Sequence, residues 1–216
     1  MTTHDFGDGA GPVPARRHVN PDGDLGGWVA ETATVAPTAY VGDRACVYDT
    51  ARVIADARVC DRARVYGDAQ VDGAARVYGH ARVHGTAHVL DARVYGHASV
   101  SDDALVYGDA QVHGSALVYG AAQVYGHARV YGDASVYGDA WVYGDAWVSG
   151  TARVHGCALV YGAAQVYGHA RVYGAAQVYG HARVYGDAQV NGYALVYGDA
   201  RVRGSTRLAG DAEVVS

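Results

Sequence analysis

From Val29 to Val214 the chain repeats one apolar pattern every six residues: a Val, an Ala two positions before it, and a more polar residue between them. The stretch from Leu117 to Asp145, LVYGAAQVYGHARVYGDASVYGDAWVYGD, shows the unit plainly as Val-Tyr-Gly-(Asp/His/Ala)-Ala-x. Val holds the first position in every unit except Leu208, and the preceding Ala, from Ala33 on, fails only at Thr206. Residues two apart on an extended chain point to the same side, so Ala and Val face inward together. The residue between them (Arg, Gln, Ser, Leu or Trp) faces out. Gly follows Tyr where the chain must bend, because Gly tolerates positive φ, and the Asp or His beside it suits a turn.

A strand and bend of six residues buries its apolar face only by coiling and stacking on copies of itself. Three units per coil predict an all-β, left-handed parallel β-helix with 18-residue triangular coils over residues 29–216. It would have about 10–11 coils and a length of roughly 50 Å at ~4.8 Å per stacked strand. A flattened solenoid with two units per coil is the competing arrangement. The register slips once: Val89 to Val94 is one residue short, at Leu90-Asp91-Ala92. The resumption at Ala92-Arg-Val94 predicts that one corner absorbs the loss. Residues 1–28 differ in kind, with Pro12, Pro14 and Pro21 among Gly and Asp. They are expected to be a flexible lead ending in an N-terminal cap, with Trp28 closing the first coil. The last residues, Leu208 to Ser216, continue the repeat with neither helix nor cap expected.

Composition narrows the partners. The 216 residues carry a net charge of −5, no lysine and no basic stripe, which argues against nucleic acid. No apolar run reaches membrane-spanning length, and the first residues lack the basic and apolar regions of a signal peptide. Three cysteines, Cys46, Cys60 and Cys157, all at outward positions, argue against a disulfide framework and for a reducing, cytoplasmic setting.

Gly26 to Asp43, GGWVAETATVAPTAYVGD, resembles the opening coil of bacterial hexapeptide-repeat proteins, the group that holds acyltransferases and γ-class carbonic anhydrases. The later Ala-x-Val-Tyr-Gly-Asp array is similar to uncharacterised members of that group that carry a transferase label. The resemblance implies the β-helical fold and is nearly silent on activity. Two departures weigh against the enzymes of the group. They usually carry a loop extruded from the coils and a C-terminal helix, which help form a site between trimer subunits, and neither is visible here. Near-identical blocks also recur at offsets of seven units (Leu117–Ala134 at Leu159–Ala176) and of two (Gln165–Ala176 at Gln177–Ala188). Neither offset is a multiple of three, so the copies land on different faces, and copying of this kind would not preserve a site.

Candidate chemistry sits in the histidines. His80 should stack on His97, with His84 near, a conceivable zinc site if three ligands converge. His155-Gly156-Cys157 resembles the His-Gly-Cys of γ-class carbonic anhydrases, whose second metal His would stand at Gly150 here, so the motif is broken. An acyltransferase would need one His as general base. His127, His169 and His181 share one slot in the unit, and none stands apart. Asp109, His127 and Asp145, and likewise His169 and Asp187, should stack as unlike neighbours that avoid like-charge columns.

One face stands out. Tyr107, Tyr125, Tyr143, Tyr161, Tyr179 and Tyr197 align at 18-residue intervals, beside Leu105, Gln123, Trp141, Leu159, Gln177 and Leu195, with no Arg among them. Arg129, Arg153, Arg171, Arg183, Arg201 and Arg207 lie on the other two faces. A contiguous apolar strip marks an interface. The leading expectation is therefore a non-catalytic structural or binding scaffold without cofactor. Its predicted partner is itself, as a trimer, an end-to-end assembly or another homo-oligomer, with no nucleic acid and no membrane. The alternatives are a trimeric acyltransferase-like enzyme, a binder of an extended repetitive ligand such as a polysaccharide or ice, and a γ-carbonic-anhydrase-like metal protein.

Overall fold

The computed structural model describes residues 2–216 and contains strands, turns and bends but no helix among them. Most strands are two residues long, and apart from Thr3–His4 and Arg207–Leu208 each of these is a Val with the residue before it. They form a parallel β-solenoid of three sheets with 18 residues per coil. One sheet runs in 11 strands from Thr34–Val35 to Glu213–Val215 and is termed the Tyr face. A second, of 10 strands from Tyr40–Val41 to Arg201–Val202, is termed the Arg face. The third, of 13 strands, begins with an N-terminal hairpin and ends at Arg207–Leu208; it is the hairpin face. The 18-residue coil rules out the flattened two-unit arrangement. Tyr107 and Tyr125, one coil apart, have ring centroids 4.7 Å from each other.

Inside, Ala and Val alternate in a column with no solvent exposure from Ala39 to Val196. Such small side chains suit a narrow prism, and each coil packs Val on Val and Ala on Ala. In the repeat region the strand hydrogen bonds run between coils, as from Gln123 N–H to Ala140 C=O at 2.9 Å and from Tyr125 N–H to Val142 C=O at 3.0 Å.

The missing residue is taken up at one corner. His88–Leu90 pairs directly with Gln70–Asp72 before it and with Leu105–Tyr107 after it. Arg93–Val94 likewise pairs with Arg76–Val77 and Gln111–Val112. Asp91 alone makes the turn, at φ 59°, and its carboxylate accepts the Ala74 N–H at 2.8 Å.

Residues 1–28, expected as a flexible lead, are laid down from Thr3 onward as an antiparallel extension of the hairpin face. Thr3–His4 pairs with Val13–Val19, which pairs with Leu25–Ala30. Pro12 precedes the seven-residue strand Val13–Val19 and Pro14 lies at its beginning, where a missing N–H is tolerated, and the Pro14 carbonyl accepts the Glu31 N–H at 2.9 Å. Phe6 is buried and stacks on Tyr48 at 4.7 Å, and His4 stacks on Trp28 at 4.4 Å. Buried Asn20 satisfies the edge of the first Arg-face strand, accepting from Val41 N–H at 2.8 Å and donating to Val41 C=O at 3.2 Å. His18 Nε2 meets the Ala39 carbonyl at 3.0 Å. Backbone groups of the first coil that would otherwise lack partners are thus covered.

Candidate functional site

The period places the six Tyr of the strip in a single unbroken ladder. Successive centroids from Tyr107 to Tyr197 lie 4.7, 4.9, 4.9, 4.9 and 5.0 Å apart, with rings within a few degrees of parallel. The other two faces break their ladders. On the hairpin face Ser101 and Asn191 interrupt the stack and on the Arg face Cys60, Ser149 and Arg203 do so, while His84, His155 and His113 stand in for Tyr as stacked imidazoles. Stacked rings cover one another's faces and present only their edges and hydroxyls outward.

Beside the ladder, strand pairing puts Leu105, Gln123, Trp141, Leu159, Gln177 and Leu195 in one column. Trp141 is 40% exposed and meets Tyr125 edge-on at 6.5 Å. Trp147, on the Arg face, is 38% exposed and carries the Arg129 guanidinium 5.4 Å over its ring. Burial against the neighbouring coils raises the phenol pKa of Tyr107, Tyr125, Tyr143 and Tyr161. For Tyr197 the hydrogen bond to Glu213 is the larger cause of the rise. These hydroxyls stay neutral across the physiological range and act as hydrogen-bond groups, such as Tyr161 O–H donating to Gln177 Oε1 at 3.4 Å.

The histidines are dispersed. His80 and His97 stack with parallel rings 4.8 Å apart at the corner between the Arg and hairpin faces. His84 stacks on Tyr66, at 4.8 Å, within the ladder of the hairpin face. Among the described residues no three His, Cys, Asp or Glu side chains converge as a metal site. His155 is held between Tyr137 at 4.7 Å and Tyr173 at 5.1 Å. His127 and His181 lie at the corner after the Tyr face and His169 at the corner after the Arg face, so the shared slot does not unite them. Unlike neighbours do meet in these columns: His127 Nδ1 lies 3.6 Å from Asp109 Oδ2, and His169 Nδ1 2.6 Å from Thr151 Oγ1. Cys46 and Cys60 are free and half-buried, with burial raising both thiol pKa values; Cys157 is free and exposed.

Two groupings escaped the reading of the chain. His88 Nε2 is buried without a hydrogen-bond partner, 4.0 Å from Asp72 Oδ2, at the start of the Tyr face. Arginines also gather around one corner in the coils from Arg44 to Arg93. The 18-residue offset, shortened to 17 across Asp91, would have aligned both sets.

The profile of the YdcK beta solenoid repeat matches residues 57–73, 98–114, 122–138, 164–176 and 176–192, all within the coiled region. No curated protein matches the chain.

Proposed function

We propose that this protein is a non-catalytic β-solenoid scaffold that pairs with a second copy of itself through the Tyr face. The observation that carries the reading is the order of the outer column. Leu105-Gln123-Trp141-Leu159-Gln177-Leu195 is nearly the same read backwards. A two-fold axis between Trp141 and Leu159 would set Leu105 against Leu195, Gln123 against Gln177 and Trp141 against Leu159 of the second copy. Self-complementarity of this kind is what an isologous interface requires. Amides would meet amides and apolar groups would meet apolar groups, with no unpaired charge in the centre.

The dimensions are adequate. With the axis between Trp141 and Leu159, eight strands overlap, from His88 to Glu213, a patch about 38 Å long and roughly 16 Å wide, on the order of 600 Å² per copy, at the lower end of the standard interface class. His88 and Glu213 flank the strip at its two ends, next to Leu105 and Leu195, and would face each other across the axis as a polar rim. The strip itself is an apolar, aromatic centre of the composition that carries most binding energy in interfaces.

The test is Tyr143→Arg. The outer slot already accepts Arg203, so circular dichroism should be unchanged. The charge would sit unpaired at the centre of the interface, and light scattering should show particles of half the mass. A wild-type protein that is monomeric at micromolar concentration, or a variant that still pairs, would defeat the proposal.

A further inference from the structure

A different surface carries a second inference. At the corner where the Arg face turns into the hairpin face, three columns run side by side along the prism. Arg58, Arg76 and Arg93 pair in register on the Arg face. Arg62 precedes the stacked His80 and His97 on the corner itself. Arg64 and Arg82, followed by Ser99, pair in register on the hairpin face. Three adjoining depressions wrap this corner, the middle one sharing Asp61 with one neighbour and Arg62 and His80 with the other, together lined by seven arginines and two aspartates.

These charges are not neutralised within the chain. Arg58, Arg62, Arg64, Arg76, Arg82 and Arg93 form no ion pair among the described residues. Of the two acids, Asp43 pairs with Arg44 at 3.9 Å and Asp61 accepts the Gly79 N–H at 2.9 Å. Like charges stacked on adjacent strands are unfavourable. Here they are concentrated in a protein whose net charge is −5. An external anion bound across the columns would relieve that repulsion.

We propose that this corner binds an acidic polysaccharide, its carboxylates spaced along the prism axis. The guanidinium forks recur at the coil spacing, shown by the 4.8 Å separation of both Tyr78–Tyr95 and His80–His97. One pyranose unit advances a chain by about one such step, and because the screw of such a chain turns successive carboxylates to different sides, they reach the arginine columns on either side of the corner. Planar Arg forks suit bidentate carboxylate recognition, and no Lys, a simpler point charge, appears anywhere in the chain. Ser99 and the imidazoles of His80 and His97 stand among the arginines as hydroxyl partners. Nucleic acid fits less well: single strands bind by stacking bases on open aromatic faces, whereas the rings here stack on one another.

The site is separate from the Tyr face, so its test is independent of pairing. Binding of polygalacturonate would be measured by titration at low salt for the wild-type protein and for an Arg62→Gln/Arg76→Gln/Arg82→Gln chain. The wild type should bind with an affinity that falls as salt rises, and the triple variant should lose at least tenfold with an unchanged circular dichroism spectrum. Arg183→Gln, far along the same Arg-face column, should bind as the wild type does. Replacing the same three arginines by Lys should lose part of the affinity, since charge remains but the fork does not. The proposal is overturned if the wild type does not retain polygalacturonate, if the triple variant binds equally, or if duplex DNA or polyphosphate binds more tightly at equal charge concentration.

Discussion

The carboxylate of Asp61 accepts the backbone N–H of Gly79, one coil further along the corner, at 2.9 Å. Asp61 occupies the position that Gly holds in most units, at φ 57°, where an L side chain is strained. Asp49 and Asp102 repeat the arrangement, accepting from Gly67 at 2.9 Å and Gly120 at 3.1 Å. The corner N–H points away from the strand ladder, so a carboxylate one coil earlier gives it a partner and offsets the strain.

Asp61→Ala should therefore destabilise more than Asp61→Gly. Alanine loses the charge-assisted bond, worth roughly 1.5–3 kcal/mol, and keeps the positive φ. Glycine loses the same bond but relieves about 1 kcal/mol of strain. Urea unfolding midpoints should rank wild type above Asp61→Gly above Asp61→Ala. Equal midpoints for the two variants would show that strain is negligible there.

Gly144→Ala probes the stretch of one corner column, from Gly108 to Gly198, that is Gly alone. Gly144 has φ 69°, and a Cβ would fall 3.1 Å from the Gly162 nitrogen and 3.2 Å from its carbonyl oxygen. The neighbour is backbone in a stacked coil and cannot move aside locally. A loss of about 1–3 kcal/mol is expected. A melting temperature unchanged within error would mean that the coils can separate locally at little cost.

Acid should weaken the solenoid through its ladder histidines. Burial lowers the pKa of His113, which stacks between Tyr95 and Tyr131, and the Arg129 charge adds to the effect. His84 and His155 are lowered as well, first by burial. A depressed imidazole takes up a proton more readily when unfolded, so the unfolded state gains protons first as pH falls below 6.5. Stability should be full above that value and decline through the lowered pKa values. His113→Tyr, which continues the Tyr ladder, should flatten the decline measured by urea midpoints between pH 7.5 and pH 5. An unchanged slope in that variant would assign the acid sensitivity elsewhere.

Most of the architecture was legible because the repeat is so regular. Val124 and Ala122 read as inward at sight, and the 18-residue coil then fixes which Tyr stacks on which. The register through Asp91 was also legible, since Ala92 and Val94 resume at once. The N-terminal strands were not. Val13–Val19 has no hexad, and its place depends on tertiary partners, such as Asn20 reaching Val41, that no local pattern reveals. The arginine corner was missed for a different reason. Its charges are dispersed along the chain, at 58, 62, 64, 76, 82 and 93, and become neighbours only when the coils are stacked across a shortened turn.

The two-fold register is open to a direct chemical trap. If the axis passes between Trp141 and Leu159, position 123 of one copy faces position 177 of the other. A Cys157→Ser chain, which lacks the exposed native thiol, would carry Gln123→Cys and Gln177→Cys together. Both positions are half-buried outer residues next to Val124 and Val178, so the interior is untouched. Within one chain these two positions are separated by the three coil steps through Trp141 and Leu159, far beyond the ~7 Å that a disulfide can span between Cα atoms. Mild oxidation should therefore give a covalent dimer on non-reducing gels, while either substitution alone should give little. Efficient crosslinking by Gln123→Cys alone would place like positions opposite each other and move the axis. No crosslinking in a protein that light scattering shows to be dimeric would assign pairing to another face.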